Sequence, residues 1–276
     1  MSLCIVDGGR RRQRAMQPID ARQSFETEPN ITAMQARSVT ALTSMRYLSS
    51  IAVCLLLYFA TSALAADTLY QASFAKGQWR RGDWTMVKSP RWAHRGGWIQ
   101  EETHVRNETP ADATAKEMLG PRAGETYTSM VLKRKFHESV TVQATLEFAD
   151  RMAPLIVLAP EVGKQRDGYP EYREHFEVVF WDKGVNVWHH RYEEGRPSWR
   201  LAAFNRFRLK PDTRYPVTVT YDRQKKTLSV AVDGHEFGYR DAALPEAFHV
   251  GLTGCEGINR FYDFAVSKQS GGKRPG

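Results

Sequence analysis

His175-Phe-Glu-Val-Val-Phe-Trp181, Asp182-Lys183-Gly184, Val185-Asn-Val-Trp-His-His-Arg-Tyr192 is two alternating runs joined by a turn. Successive side chains of a strand point to opposite faces, so the register of the hairpin decides what each face carries. A two-residue Lys183-Gly184 loop would pair Asp182 with Val185 and set Glu177 opposite His190. It puts Phe176, Val178, Phe180, Val185 and Val187 on one face. His175, Glu177, Trp181, Asn186, Trp188, His190 and Tyr192 take the other. A three-residue loop with Gly184 as a bulge would mix the two sets, so segregation favours the first register. Working outward, Val140–Phe148 and Tyr215–Tyr221 alternate in the same way. Thr227–Val232, Asp233-Gly234 and His235–Phe237 form a second hairpin with a strong turn signal. Phe248–Thr253 and Arg260–Val266 close the series, and the one helix candidate, Asp112–Leu119, is short. Many short strands in about 200 residues predict an all-β antiparallel sandwich or barrel.

The chain has 276 residues with 39 Lys+Arg against 31 Asp+Glu, a formal +8. Seven of the arginines and four of the acids lie in residues 1–66, leaving 32 basic and 27 acidic side chains beyond. That balance is a mildly basic surface, and with the basic groups set among acids it speaks against nucleic acid as a partner. All eight histidines and all seven tryptophans follow residue 66. Met45-Arg46-Tyr47, the apolar Leu48–Ala60 and Thr61–Ala66 have the layout of a secretory signal, with Ala63-Leu64-Ala65 as the A-x-A step before cleavage after Ala65 or Ala66. The expectation is a secreted or periplasmic protein. A retained signal-anchor through 48–65 is the alternative, and only then is a membrane a partner. The chain thus divides into 1–44, a disordered or mis-annotated extension, a signal peptide at 45–66, a β-sandwich at 67–268 and a disordered tail at 269–276. Cys255 is the only cysteine of the sandwich, so no intrachain disulfide is expected there.

Four segments carry a family resemblance, in that family's order. They are Phe74–Trp79 with Asp83-Trp84, Arg91-Trp92 and Gly96–Ile99, the acidic strand Phe176–Asp182, the hairpin Leu228–Gly234, and Asn259–Val266. From Met45 onward the chain resembles an exported concanavalin A-like lectin/glucanase jelly roll, and more narrowly is similar to the 3-keto-disaccharide hydrolase-like domains. Where that family carries an Asn-Ser-Gly step before the acidic strand, Asp167-Gly168-Tyr169-Pro170 stands here. The resemblance implies a jelly-roll β-sandwich whose concave sheet is the platform for a carbohydrate.

A face of indoles, a phenol, an amide, imidazoles and one carboxylate suits a sugar, which offers C–H faces for stacking and hydroxyls for hydrogen bonds. His175, Trp181, Asn186, Trp188 and Tyr192 are the expected substrate-binding residues. Glu177 beside His190 is the expected catalytic pair, a carboxylate and an imidazole suited to acid–base work in glycoside hydrolysis or a related cleavage. Glu171, Glu174 and Glu177 are spaced by three, so neighbours in the set face opposite ways and the paired carboxyls of a retaining glycosidase are not visible on this strand. Two readings stay open. A second carboxyl across an open groove from Glu177 would favour an enzyme. An aromatic face with a single carboxylate would favour a non-catalytic glycan-binding or cell-surface module, and a face plugged by loops would favour neither.

Other signals point to packing rather than chemistry. Trp79, Trp84, Trp92 and Trp98 are expected in the core. No cofactor and no metal are expected: His189-His190 with His175 is the one metal-like set, but neighbours on a strand face opposite ways, and no Asp/Asn-rich loop suits calcium. Arg196–Arg200 and Asn205–Arg208 interleave arginine with aromatics, either as a solvated loop or as partners for the carboxylates of acidic glycans. Asn107-Glu108-Thr109 is a glycosylation sequon if the host is eukaryotic.

Overall fold

The computed structural model describes residues 68–269 except 152, 153 and 194. The extension 1–44, the signal segment 45–66 and all but the first residue of the tail fall outside the described residues. Among the described residues, no helix is long and apolar enough to cross a membrane.

The chain runs β1 (Thr68–Ser73), β2 (Trp84–Met86), β3 (Trp98–Gln100), β4 (Val105–Asn107), the single-turn α1 (Ala115–Met118), β5 (Thr128–Leu132), β6 (Val140–Phe148) and β7 (Pro154–Lys164). It continues through β8 (Pro170–Trp181), β9 (Gly184–Glu193), β10 (Arg196–Arg206), β11 (Tyr215–Asp222), β12 (Thr227–Val232), β13 (His235–Arg240), β14 (His249–Gly254) and β15 (Asn259–Lys268). One sheet has the order β13-β12-β11-β6-β15-β4-β3, with β1 also on β15, and the other β10-β9-β8-β7-β14-β5-β2. Every pair within the two sheets is antiparallel. The protein is an antiparallel β-sandwich of jelly-roll type.

Alternation explains why the layers close. In β6, Val140, Val142, Ala144, Leu146 and Phe148 are buried and meet Ile156, Leu158, Phe176, Val178, Phe180, Val185 and Val187 of the second sheet in one core. Each such side chain contributes about 1.5–3 kcal/mol by leaving water. Trp84 and Trp98 join that core and Trp79 packs against it, as expected, but Trp92 does not. The short helix is held by a capping box between Thr114 and Glu117. Its first turn therefore has partners for its free N–H groups.

Two expectations need correction. Arg196–Arg206 is not a loop: it is β10, an edge strand paired only with β9 and broken in register between Leu201 and Ala203. Asn107 is 0% exposed and its side chain is fully engaged, Nδ2 donating to Thr126 O at 2.8 Å and Gly257 O at 2.9 Å while Oδ1 accepts from Asn259 N–H. It is a structural residue of the folded protein, not an acceptor for a glycan.

Candidate functional site

The β8–β9 hairpin has the predicted faces but not the predicted pairs. Trp181 pairs with Gly184 around a two-residue Asp182-Lys183 loop, and His175, not Glu177, stands opposite His190. The turn is displaced by one residue on each strand, so the pairing shifts by two and every side chain keeps its face. Gly184 is required at this turn. Its φ is +120°, and a Cβ there would lie 2.1 Å from Asn205 O of β10.

Outside the sandwich core, on the outer face of the second sheet, Glu177 is gripped by imidazoles. His175 Nε2 lies 3.1 Å from Oε1 and His190 Nε2 3.0 Å from Oε2. The Tyr127 hydroxyl donates to Oε1 at 3.5 Å. The His190 contact is misaligned for a hydrogen bond, which leaves that buried nitrogen without a hydrogen-bond partner among the described residues. His175 is sandwiched between the ring of Tyr172, at 4.1 Å, and that of His190, at 4.6 Å. Burial alone would push the Glu177 carboxyl up, but the facing His190 and His175 outweigh it and hold it well below the usual carboxylate range. Burial drives His175 down from 6.5 to about 4, so it is neutral at physiological pH. The arrangement is an ionised carboxylate held between two imidazoles, hydrogen-bonded to His175 and within ion-pair reach of His190.

Segments from elsewhere build walls over this face. Beyond β2 the chain lies beside the start of β8, with Lys88 N donating to Pro170 O and Tyr172 N to Lys88 O, both at 3.0 Å. It then carries Ser89, Arg91 and Trp92 across the sheet. Together with Tyr127, Cys255, Glu256 and Trp199 they close a cavity of about 160 Å³ over Glu177, Trp188 and His190. The Arg91 guanidinium sits between two indoles, 4.5 Å from the ring of Trp92 and 4.7 Å from that of Trp199.

Glu256 is the second carboxyl in this cavity. Burial raises its pKa, the nearby Arg91 opposes the rise and the charge of Glu177 adds to it. Its backbone is left-handed, φ +54°, a conformation that costs a non-glycine residue about 1 kcal/mol or more. The turn is held in place nonetheless: Glu256 N donates to Thr126 Oγ1 at 2.7 Å, and Asn259 Nδ2 donates to Cys255 O and Gly257 O, both at 3.0 Å. The Cys255 thiol, buried beside it, is pushed well up and stays protonated.

Of the residues predicted from sequence, Glu177, Trp188 and His190 line the cavity and His175 backs it. Trp181 and Asn186 line a neighbouring groove that shares Trp188. Tyr192 lies away from both, under Arg173 at 5.0 Å. Arg91, Trp92, Tyr127, Trp199 and Glu256 went unrecognised, because loops and an irregular strand bring them in and no periodicity marks them. His189 points to the core side, stacked on Phe176 at 4.1 Å and held by Glu174 at 2.7 Å. Setting a metal aside because His189 and His190 diverge leaves out His175, Glu177 and His190, whose ligating atoms lie within 4.8 Å of one another. The two rings are stacked 13° from parallel with centroids 4.6 Å apart, so an ion in the plane of one lies well out of the plane of the other. Binding one ion at about 2.0–2.1 Å from both nitrogens would require a ring to turn.

No protein-family model matches the chain, and no curated protein matches it. Among solved structures it is similar to the carbohydrate-binding module CBM66 from Bacillus subtilis, at 10% identity and a TM-score of 0.46 over 67% of this chain and 96% of that one. A peanut lectin bound to a 9mer peptide is similar at 14% identity and 0.48, over 74% and 98%. Lectin II from Ulex europaeus is similar at 12% and 0.47, over 73% and 99%. The fold assignment rests on the strand order, not on these likenesses.

Proposed function

We propose that this is an exported carbohydrate-active protein that takes one sugar ring of a glycan into the cavity over Glu177 and hydrolyses the glycosidic bond there. The observation that carries the reading is the placement of two carboxyls shifted in opposite directions, Glu177 held down and Glu256 raised, in one cavity walled by Trp92, Trp188 and Trp199. Environments that push two titratable groups apart are how one site supplies both an acid and a base. A dry cavity of ~150 Å³ accommodates a six-membered ring such as benzene, so one ring is the scale of this site.

In the proposed reaction, His190, supported by Glu177, takes a proton from water as the water oxygen bonds to the anomeric carbon. The bond from that carbon to the leaving oxygen breaks, and Glu256 gives the leaving oxygen its proton. His190 lines the cavity, and its Nε2, 3.0 Å from Glu177 Oε2, is the ring nitrogen without a hydrogen-bond partner among the described residues. The resemblance to 3-keto-disaccharide hydrolase-like domains places an oxidised disaccharide among the first substrates to try. Export belongs to the same proposal, and N-terminal sequencing of the secreted protein tests it by locating the cut near Ala65.

The test is a glycan-array screen of the protein followed by product analysis on each ligand found. Binding with turnover, reduced roughly 10²–10⁴-fold in His190→Gln and in Glu256→Gln with binding retained, is the expected result. Binding without turnover would replace it with a non-catalytic glycan-binding module. No binding to any glycan would overturn both.

A further inference from the structure

Next to the cavity, and continuous with it through Trp188, runs a wider groove of about 860 Å³ along β9, β10 and the segment that follows. Trp181, Trp188, Phe204 and Phe207 give it aromatic surface, and the exposed large apolar side chains Leu201 and Phe204 lie together along it, a clustering that marks a binding surface where a lone one would not. Its rim is cationic. Lys183, Arg206 and Arg208 line it, and Arg91 stands at the neighbouring cavity. None of these four forms an ion pair among the described residues, although most arginines of the sandwich do. Lys183 and Arg206 instead lie over the rings of Trp181 at 5.6 Å and Phe204 at 5.2 Å, and Arg91 lies between Trp92 and Trp199. A guanidinium whose face rests on an aromatic ring keeps its N–H edge for a planar anion. The one acid lining the groove, Asp182, is already paired with Arg151 at 3.5 Å.

We propose that this groove is an extended subsite for an acidic polysaccharide, a polymer of uronic acids whose sugar faces stack on Trp181, Trp188 and Phe204 and whose carboxylates meet Lys183, Arg206 and Arg208. The inference rests on the glycan reading of the cavity and names its substrate class. Cations without acidic partners beside stacking surfaces fit a chain of charged rings. A neutral glycan would leave the cations without partners, and a bare polyanion would leave the aromatic surface unused.

Affinity electrophoresis and calorimetry of the full chain would compare polygalacturonate and alginate with neutral dextran, dextran sulfate and single-stranded DNA. The expected result is polyuronate binding at least tenfold tighter than dextran. It falls at least tenfold in Arg206→Glu/Arg208→Glu, with the melting temperature unchanged. Residues 1–66 carry seven arginines in parent and variant alike, so the difference between the two reads the groove. If charge reversal perturbs folding, Arg206→Gln/Arg208→Gln provides the same comparison with a smaller expected loss. Dextran binding as tightly as polyuronate, or a variant that binds polyuronate like the parent, overturns the proposal. Equal binding of dextran sulfate or DNA reduces it to bare charge attraction and also overturns it. Cleavage of a neutral glycan in the same experiment would leave the cavity reading standing while this one fails, and no binding of any glycan would remove both.

Discussion

Asn259 N–H donates to Asn107 Oδ1 at 2.8 Å, joining the first residue of β15 to the last of β4 across 152 positions of sequence. Both amide side chains then reach the same turn: Asn107 Nδ2 and Asn259 Nδ2 each donate to Gly257 O. The pair fixes the Cys255–Gly257 turn and therefore the Glu256 carboxyl.

Replacing Asn107 with Ala strands the Thr126 carbonyl and the Asn259 N–H in the interior and removes one of the two donors to Gly257 O. Buried groups left without partners cost roughly 1–3 kcal/mol each. Asn107→Ala is expected to lower stability by about 2–4 kcal/mol in urea unfolding. Turnover should also fall more than binding, because Asn107 positions Glu256 and touches no substrate. A variant with parental stability would show that the turn is held by other contacts.

Glu256 sits in a conformation that suits glycine, and its carboxyl is in surroundings that disfavour charge. Glu256→Gly relieves both and is expected to raise stability by up to about 1 kcal/mol while abolishing turnover. The sign with pH follows. A carboxyl whose folded pKa lies above its ordinary 4.5 makes the folded state less favourable as pH rises past 4.5. The parent should lose a little stability there and the variant should not. Melting curves at a series of pH values, parent against variant, decide it, and a lower melting temperature for Glu256→Gly would contradict the account.

How far the sequence speaks depends on what kind of order is being read. The two faces of the β8–β9 hairpin were legible because parity survives a shift of two, so Phe176 and Glu177 part company in either register. The pairing itself was not legible, since Asp182-Lys183 and Lys183-Gly184 differ only in where the left-handed glycine falls. β7 escaped alternation because Leu155–Ala159 is apolar on both faces, one toward the sandwich and the other under Tyr127 and Tyr172. β10 escaped because it is an exposed edge strand with a break in register. Arg91 and Trp92 reach the cavity from the stretch after β2 and Glu256 from the turn after β14, both far from β8 in sequence, and only packing brings them together. Trp92 shows the limit well: its neighbours Trp84 and Trp98 are core, and nothing local separates the three.

Gly184 offers a direct test of the hairpin. An added Cβ meets the backbone carbonyl of Asn205 at 2.1 Å in a conformation that L side chains rarely adopt, so the strand β10 would have to move. Gly184→Ala is expected to cost roughly 2–3 kcal/mol. It should also loosen β10 and the groove lined by Phe204, seen as faster amide exchange along Arg196–Arg206. Gly77→Ala, where nothing lies within 4 Å, is the comparison: its φ of +75° alone should cost less.

His175 sets the behaviour in acid. It is held neutral by burial, at about 4 against an ordinary 6.5, so between those values the unfolded chain binds a proton that the folded chain refuses. Stability conferred by this group is complete above pH 6.5 and is lost as the pH falls toward 4, by about 3 kcal/mol in all. Glu177 works in the same direction lower down, since its carboxylate, depressed in the folded state, contributes above 4.5 and loses that contribution as acid titrates it. His175→Gln removes the first proton and keeps a donor near Glu177 Oε1. The melting temperature of the parent should therefore fall steeply between pH 6.5 and 4 and that of the variant more gently. Equal slopes would mean that His175 is accessible to protons in the folded protein and that the cover formed by Tyr172 and His190 opens.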